Sequence, residues 1–247
     1  MIEFVNVTKR FGKLVVLDNV SFTIEEGETF VIIGQSGSGK TTILRHIAGF
    51  FDPEEGSVFV DGDRMSNASF SMRVAIRAKM GFLFQSGALI NWLNVRDNVA
   101  LPLVEHRLGT KEEIDEIVND RLKRLQLCDA ADKMISDISG GMKKRAGLAR
   151  AIVRNPRLIL YDEPTSGLDP VMSARIDELI IEMQRDLGIT SVVVTHNMSS
   201  AYRIADRIAM LYKGAIIECG TPDEIKNSTN EIVQQFIMGQ INGPIET

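Results

Sequence analysis

The sequence feature that most constrains the fold of this chain is a glycine-rich segment, Gly34 to Thr41. It lies between an apolar run and a segment with helical periodicity. The segment fits the pattern G-x-x-x-x-G-K-[ST], in which backbone N–H groups and the positive end of the next helix face phosphate oxygens. The apolar run at 30–33 precedes it, and a segment with helical periodicity follows from 42 to 50. This order of strand, loop and helix predicts a nucleoside-triphosphate site. The residues expected to contact the nucleotide are Gly34, Ser36, Gly37, Ser38, Gly39, Lys40, Thr41 and Thr42.

Two residues of this segment have predicted chemical roles. Lys40 would reach the β- and γ-phosphates, and the hydroxyl of Thr41 would ligate Mg²⁺. The alternative is a glycine-rich turn before an ordinary helix, and the apolar run directly before the segment argues against it.

Composition narrows the class of protein. The chain has 247 residues and a net charge of −5, which argues against a nucleic-acid-binding function. No apolar run approaches the ~18 residues of a membrane span, and the N-terminal residues do not resemble a signal peptide. Cys128 and Cys219 lack metal-ligand spacing, so we interpret them as buried or incidental thiols in a reducing cytosol.

Short runs with β-type patterns recur along the chain, with helix-period segments between several of them, which predicts an α/β fold. Most later runs are fully apolar, as is typical of buried parallel strands. The predicted strands are Ile2–Val7, Leu14–Ile24, Thr29–Ile33, Val58–Val60, Gly81–Phe84, Leu158–Tyr161, Thr190–Thr195, Arg207–Tyr212 and Ala215–Glu218.

The middle third of the chain, from about 86 to 155, has helical patterns and no convincing strand. Thr110 followed by Glu113 is a capping-box pattern and predicts a helix start. A second helix is expected from about Gly141 to Arg154, because Pro156 follows. These patterns predict a helical subdomain inserted into the α/β core.

Two adjacent carboxylates, Asp162 and Glu163, end the predicted strand that begins at Leu158. Successive strand residues point to opposite sides, so the two acids have different expected roles. Asp162 suits a Mg²⁺ shell and Glu163 suits the polarisation of an attacking water. The alternative is a solvated strand end.

A second anion site is predicted where Ser139-Gly140-Gly141 opens a helix. It offers backbone N–H groups, a hydroxyl and a helix N-terminus. Taken alone, the motif fits an ordinary serine N-cap better.

Along the chain the motifs occur in the order P-loop, Gln85, Ser139-Gly140-Gly141, Asp162-Glu163, Ser166-Gly167-Leu168-Asp169 and His196. This order resembles that of the nucleotide-binding subunit of ATP-binding-cassette (ABC) transporters along essentially the whole chain. The resemblance implies an α/β P-loop (RecA-like) core with an antiparallel β subdomain and an inserted α-helical subdomain. It implies one ABC ATPase domain over 1–247, with 1–85 and 156–220 as catalytic core, 86–155 as helical subdomain and 221–247 as C-terminal helical tail.

The resemblance also implies ATP and Mg²⁺ as cofactors. It implies a homodimer in which ATP lies between the P-loop of one subunit and the signature residues Ser139, Gly140 and Gly141 of the other.

The resemblance also assigns roles to single residues. Phe11 matches the aromatic residue that stacks on adenine, although core packing is an equal alternative, and Val16 matches the small residue beneath the base. Gln85 matches the Q-loop glutamine near Mg²⁺ and the transmembrane partner. His196 matches the switch histidine at the γ-phosphate. Asp169 matches the D-loop at the dimer interface. Because Pro170 follows it, Asp169 also has the pattern of a helix N-cap.

Some residues next to these motifs receive no functional role. Lys143, Lys144 and Arg145 are interpreted as a solvated helix face. His46 and His106 match no motif of the family.

Within the family, the segment Ser86-Gly87-Ala88 after Gln85 resembles the Mla/MCE lipid-transport ATPases, as does Met142 after the signature glycines. The common signature has glutamine at that position, and the common Walker-B motif has leucine where this chain has Tyr161.

The resemblance implies ATP hydrolysis that energises phospholipid transport through an MlaE-like permease and an MCE-domain lipid-binding protein. It places the chain on the cytoplasmic face of the inner membrane, with no nucleic acid partner and no direct contact with lipid. The alternatives are another ABC importer or exporter, or a soluble ABC ATPase.

A helix start is predicted at Thr221-Pro222, and an apolar helical face at 232–237 follows it. The segment Gly239–Thr247 cannot easily continue a helix. In the Mla-type ATPases a similar tail clasps the other ATPase subunit. The equal alternative is packing on the chain's own core followed by a frayed end.

Overall fold

The computed structural model describes residues 1–85 and 87–245, so Ser86 of the predicted Ser86-Gly87-Ala88 segment lies outside the described residues. The chain divides into two compact units. The first unit comprises Met1–Arg77 and the chain from Thr190 onward, and the second unit comprises Ala78–Ile189.

The strands lie at β1 (Ile2–Phe11), β2 (Leu14–Ile24), β3 (Thr29–Ile33), β4 (Glu55–Val60), β5 (Asp63–Arg64), β6 (Met80–Leu83), β7 (Leu158–Asp162), β8 (Thr190–Thr195), β9 (Arg207–Tyr212) and β10 (Ala215–Gly220). The helices lie at α1 (Lys40–Ile47), α2 (Phe70–Arg77), α3 (Val95–Glu105), α4 (Lys111–Arg124), α5 (Gly140–Ile152), α6 (Pro170–Leu187), α7 (Met198–Ile204), α8 (Pro222–Lys226) and α9 (Glu231–Met238). All nine predicted strands are present. The short β5 has no counterpart in the prediction, because two residues are too few to show a period.

The first unit contains an antiparallel sheet and a set of mostly parallel strands. The antiparallel sheet has the order β2-β1-β4-β5. In the other set, β3 lies between β8 and β9 and is parallel to both, whereas β10 is antiparallel to β9. Every residue of β3 and of β8 is buried, because strands covered on both faces have no solvent side. The predicted α/β class is confirmed.

The second unit pairs β6 with β7 in parallel and is otherwise helical. Helix α4 begins at a complete capping box, in which the Thr110 N–H donates to Glu113 Oε2 at 2.7 Å and the Glu113 N–H donates to Thr110 Oγ1 at 3.3 Å. Among the described residues between 87 and 155 there are helices and no β-strand, apart from one isolated bridge between Asn94 and Met134.

The end of the described chain packs against α9. Helix α9 is capped at its C-terminus by Gly239, which has a left-handed backbone. The Ile245 N–H donates to Gln235 Oε1 at 2.7 Å, and both residues are buried. The predicted apolar face of α9 is only partly covered: Val233 is buried, whereas Phe236 is half-buried. Up to Ile245, therefore, the tail folds back on its own chain. None of the helices in the described ranges is both long and apolar enough to cross a membrane.

Candidate functional site

The glycine loop between β3 and α1 has a backbone that other residues would adopt only with strain. Gly34, Gly37 and Gly39 have φ values of 151°, 81° and 105°. A Cβ on Gly34 would lie 2.4 Å from the carbonyl oxygen of Leu211, and one on Gly39 would lie 2.9 Å from that of Val16. The loop is therefore tightly enclosed at both ends, and glycine is required there by both conformation and space.

Lys40 and Ser38 present polar groups inside this loop. The ammonium of Lys40 is buried and donates to the carbonyl oxygens of Gly34 at 2.7 Å and Gln35 at 2.8 Å. The buried Ser38 Oγ has no hydrogen-bond partner within the protein. Because buried hydroxyls are nearly always paired, this atom fits a phosphate oxygen as its partner. Thr41 lies in the first turn of α1 and is half-buried.

An aromatic surface lies at the end of β1. Phe11 is 45% exposed, which excludes the core-packing alternative. Its ring meets that of Phe51 edge to face at 5.3 Å, and the Lys9 ammonium lies 5.4 Å from the Phe11 ring centroid. Phe51 and Lys9 were missed from the sequence, because neither belongs to a recognisable motif. Val16, which was predicted to lie beneath the base, packs beside Gly39 of the loop.

The predicted switch histidine, His196, directly follows the last residue of β8. Thr195 is the register partner of Ile33, so His196 and Gly34 each follow directly after a paired position of neighbouring parallel strands. His196 is exposed.

In the second unit, β6 and β7 bring Gln85 and Glu163 to the same level. Leu83 and Tyr161 are register partners, and the two polar residues each follow two positions later. Asp162 ends β7 and is half-buried, as is Glu163. Glu163 has a left-handed backbone with φ 50°, which is uncommon for a residue other than glycine.

The predicted signature residues lie at the start of α5. The Ser139 hydroxyl accepts a hydrogen bond from the Met142 N–H at 3.3 Å, so the serine is the N-cap of this helix. Ser139 and Gly140 are exposed, and Gly141 is buried. A Cβ on Gly140 would come no closer than 3.7 Å to Leu168, which is ordinary contact. The chain's own packing therefore does not require glycine at this position.

Asp169 caps α6. Its Oδ1 accepts from the N–H groups of Val171 at 2.9 Å and Met172 at 3.0 Å, and Pro170 is the first helical residue. The side chain is exposed, as expected for a residue that can also contact a partner.

The interpretation of Lys143, Lys144 and Arg145 as a solvated helix face is wrong for Lys144. Lys144 is only 6% exposed, and its ammonium donates to the carbonyl oxygens of Gln85 at 2.5 Å and Glu163 at 3.0 Å. Burial lowers the pKa of Lys144, and the nearby Glu163 carboxylate opposes this effect. Arg145 is half-buried and donates to carbonyl oxygens at the end of α4. The sequence did not predict this burial, because three consecutive basic residues, Lys143 to Arg145, have the pattern of a solvated helix face.

The predicted site residues fall into two groups, one in each unit. The first unit contains Phe11, Val16, the loop residues Gly34 to Thr42, and His196. The second unit contains Gln85, Ser139, Gly140, Gly141, Asp162, Glu163 and Asp169.

Comparisons with known proteins show the family to which the chain belongs. A profile of the family described as "ABC transporter" matches residues 17–166. The chain is similar to the dimeric structure of a post-hydrolysis state of the ATP-binding cassette MJ0796 bound to ADP and Pi, with a TM-score of 0.83, 35% sequence identity, and coverage of 90% of this chain and 99% of that chain.

Two curated relatives match almost the whole chain. The probable ribonucleotide transport ATP-binding protein mkl of Mycobacterium tuberculosis is 40% identical over 244 residues, which span 99% of this chain and 68% of the relative. The intermembrane phospholipid transport system ATP-binding protein MlaF of Escherichia coli K12 is 38% identical over 245 residues, which span 99% of this chain and 91% of the relative. Together with the loop, strand-end and signature geometry, these matches show that the chain belongs to the ABC transporter family, as one of its ATP-hydrolysing cassettes.

Proposed function

We propose that this cassette acts as a homodimer that energises phospholipid transport between membranes through a transmembrane permease. The observation that carries the choice of cargo is the similarity to MlaF, which extends over 99% of this chain. A second candidate is ribonucleotide transport, favoured by the name of the mkl relative at 40% identity. The aligned region spans 91% of MlaF but only 68% of mkl. The fuller match to MlaF supports the phospholipid proposal.

The hydrolytic step in this proposal uses several of the predicted site residues. Lys40 and the loop N–H groups hold the β- and γ-phosphates, and Glu163 accepts a proton from the attacking water. His196 contacts the γ-phosphate. The exposed ring of Phe11 offers a stacking surface for the base, with Val16 beneath it.

The donor set fits Mg²⁺. Thr41, Gln85 and Asp162 would offer hydroxyl, amide and carboxylate oxygens, which are the ligands that this ion prefers. Among the described residues no cluster of three or more His, Cys, Asp or Glu side chains could hold a metal by itself. In ATP sites Mg²⁺ is usually held by one or two carboxylates together with substrate phosphates. When bound, Mg²⁺ neutralises charge that develops on the phosphates.

The surface at Gly140 supports a shared ATP site in the homodimer. Gly140 is exposed, and its own chain leaves room for a Cβ. A small residue at the start of a helix lets a phosphate approach the backbone N–H groups closely. We infer that the signature residues Ser139, Gly140 and Gly141 receive the ATP bound to the partner's loop, with Asp169 at the same interface.

The proposed partners follow from the proposed cargo. They are an MlaE-like permease and an MCE-domain lipid-binding protein, with the cassette at the cytoplasmic face of the inner membrane. In this arrangement the lipid never contacts the cassette.

The role of Glu163 is tested by Glu163→Gln. The amide keeps the size of the side chain but cannot accept the proton, so ATP turnover should fall by about 10²-fold or more while ATP binding is retained. The dimer should then persist in ATP, as measured by size-exclusion chromatography with light scattering. Turnover at the wild-type rate would contradict the assignment.

The shared site is tested by mixing two variants. Ser139→Arg blocks the signature surface and Lys40→Ala removes nucleotide binding, so each homodimer should be inactive. A mixed dimer has one intact composite site, and partial ATPase activity should return on mixing. If no activity returns although mixed dimers form, ATP is not shared between subunits.

The cargo is tested with the native complex. We expect the affinity-tagged chain to co-purify with a permease and an MCE-domain protein. In proteoliposomes the complex should move a fluorescent phospholipid in an ATP-dependent manner, whereas labelled ribonucleotides should stay in place. ATP-dependent ribonucleotide movement without lipid movement would support the second candidate instead.

A further inference from the structure

Helix α5 makes buried contacts with two of the catalytic segments in its unit. Its N-terminus carries the signature residues, and one turn later the Lys144 ammonium lies between the carbonyl oxygens of Gln85 and Glu163, at 2.5 Å and 3.0 Å. An ammonium group has three N–H donors and no acceptor, so it suits a position that bridges two carbonyl oxygens. Lys144 thus connects the two strand ends that hold the predicted glutamine and the predicted base.

The contact with Glu163 coincides with an unusual backbone. At φ 50° the glutamate is in the left-handed region, where its Cβ crowds the following carbonyl oxygen. That carbonyl accepts from Lys144 at 3.0 Å and from the Ser166 N–H at 3.2 Å. Two donors on one carbonyl stabilise the peptide orientation that this conformation requires. The direction of the Glu163 side chain therefore depends on contacts of its main chain.

A second cation of α5 holds the segment after Gln85. The Arg150 guanidinium donates to the carbonyl oxygens of Gly87 at 2.7 Å and Ala88 at 2.8 Å, and Ala88 also has a left-handed backbone, with φ 45°. Gly147 lets the helix approach closely, because a Cβ there would lie 2.8 Å from Leu83 Cδ1. Helix α5 thus holds the main chain at Gln85, through Lys144, and directly after it, through Arg150.

We propose that Lys144 is a positioning residue for ATP hydrolysis, which fixes the main chain of Glu163 and Gln85 so that the Glu163 carboxylate is presented for proton transfer. The inference rests on the role proposed above for Glu163. In this role Lys144 acts through the two carbonyl oxygens to which it donates hydrogen bonds. The surrounding charges agree with this role, because the carboxylates of Asp162 and Glu163 partly offset the cost of burying the ammonium.

The test compares purified full-length variants at saturating Mg-ATP. Lys144→Met keeps most of the length of the side chain but removes both hydrogen bonds, so we expect kcat to fall about tenfold or more with KM for ATP changed less than about twofold. Lys144→Arg keeps the charge and the N–H donors and should recover most of kcat. The matched control is Lys143→Met, since the neighbouring Lys143 is only half-buried and should leave both constants unchanged.

Hydrogen exchange gives a second readout. In Lys144→Met the Ser166 amide, which bonds the Glu163 carbonyl, should exchange faster, while amides of the glycine loop should not change. If Lys144→Met does not fold, Lys144→Gln replaces it, with an expected severalfold loss of kcat at unchanged KM.

The proposal is overturned if the folded methionine variant, or its glutamine replacement, keeps the wild-type kcat, or if the arginine variant recovers nothing. Glu163→Gln measured in parallel separates the two ideas. If that variant hydrolyses ATP normally, the role of Glu163 is wrong. If it is inactive while Lys144→Met is fully active, only the positioning role of Lys144 is wrong.

Discussion

Thr195 and Ile33 are register partners in two neighbouring parallel strands of the first unit. Each is the last residue of its strand, and both are fully buried. The next residues, His196 and Gly34, therefore leave the two strands at the same level. A histidine at this position can sense a phosphate held by the glycine loop, because parallel strands present their carboxyl ends at one edge.

Replacement of His196 tests this arrangement. His196→Ala removes a hydrogen-bond donor to the γ-phosphate, so ATPase activity should fall about 10²-fold with ATP binding nearly unchanged. Steady-state kinetics and a fluorescent-nucleotide titration measure the two quantities. The control is His106→Ala, at an exposed position of the second unit. Equal effects of the two variants would argue against a sensor role.

Replacement of Lys40 tests the loop. Lys40→Ala removes the ammonium group that crosses the loop between the Gly34 and Gln35 carbonyl oxygens. ATP affinity should fall at least about tenfold, because both a phosphate contact and the bonds that shape the loop are lost. Isothermal titration calorimetry measures this, with the exposed Lys13→Ala as control. Unchanged affinity in a folded Lys40→Ala protein would contradict the loop assignment.

Asp169 allows its capping and interface roles to be separated. Asp169→Ala removes an N-cap and should lower the free energy of unfolding by about 1 kcal/mol. Asp169→Ser keeps a capping oxygen and should restore most of that stability. If the carboxylate also contacts the partner subunit, the serine variant should still have reduced ATPase activity and weaker ATP-dependent dimerisation. Activity that follows stability in both variants would leave Asp169 with the capping role alone.

His46 predicts a pH dependence of stability. It is 1% exposed, its Nδ1 donates to the Thr42 carbonyl oxygen at 2.8 Å, and its Nε2 has no partner. Burial lowers the pKa of His46 below its ordinary value of 6.5. The unfolded chain therefore takes up the proton first as pH falls.

It follows that the contribution of His46 to stability is complete above about pH 6.5 and is lost as pH falls from there toward the lowered pKa. Urea unfolding between pH 7.5 and 5.5 should show this loss in the wild type. The loss should be smaller in His46→Leu, which has no group to protonate, and unchanged in the control His106→Gln. An equal loss in all three proteins would assign the pH dependence to other groups.

Local patterns in the sequence predicted most of the secondary structure. The strands β2, β3, β8 and β9 have the predicted bounds, because apolar runs between turn residues mark them clearly. The capping box at Thr110 and the proline starts of α6 and α8 were also predicted, since these signals depend only on neighbouring residues. The two-residue β5 was missed, because its strand character comes from pairing with β4.

For the candidate site, the sequence by itself was enough to predict which residues carry the chemistry. The loop glycines, Lys40, the acids Asp162 and Glu163, and the signature serine are all recognisable from residue type and spacing. Only the tertiary structure decided what surrounds them. The unpaired Ser38 hydroxyl, the exposed ring of Phe11 and the buried Lys144 beneath Glu163 follow from contacts between distant segments. A local pattern cannot show these contacts, because the burial of a side chain depends on what the rest of the chain packs against it.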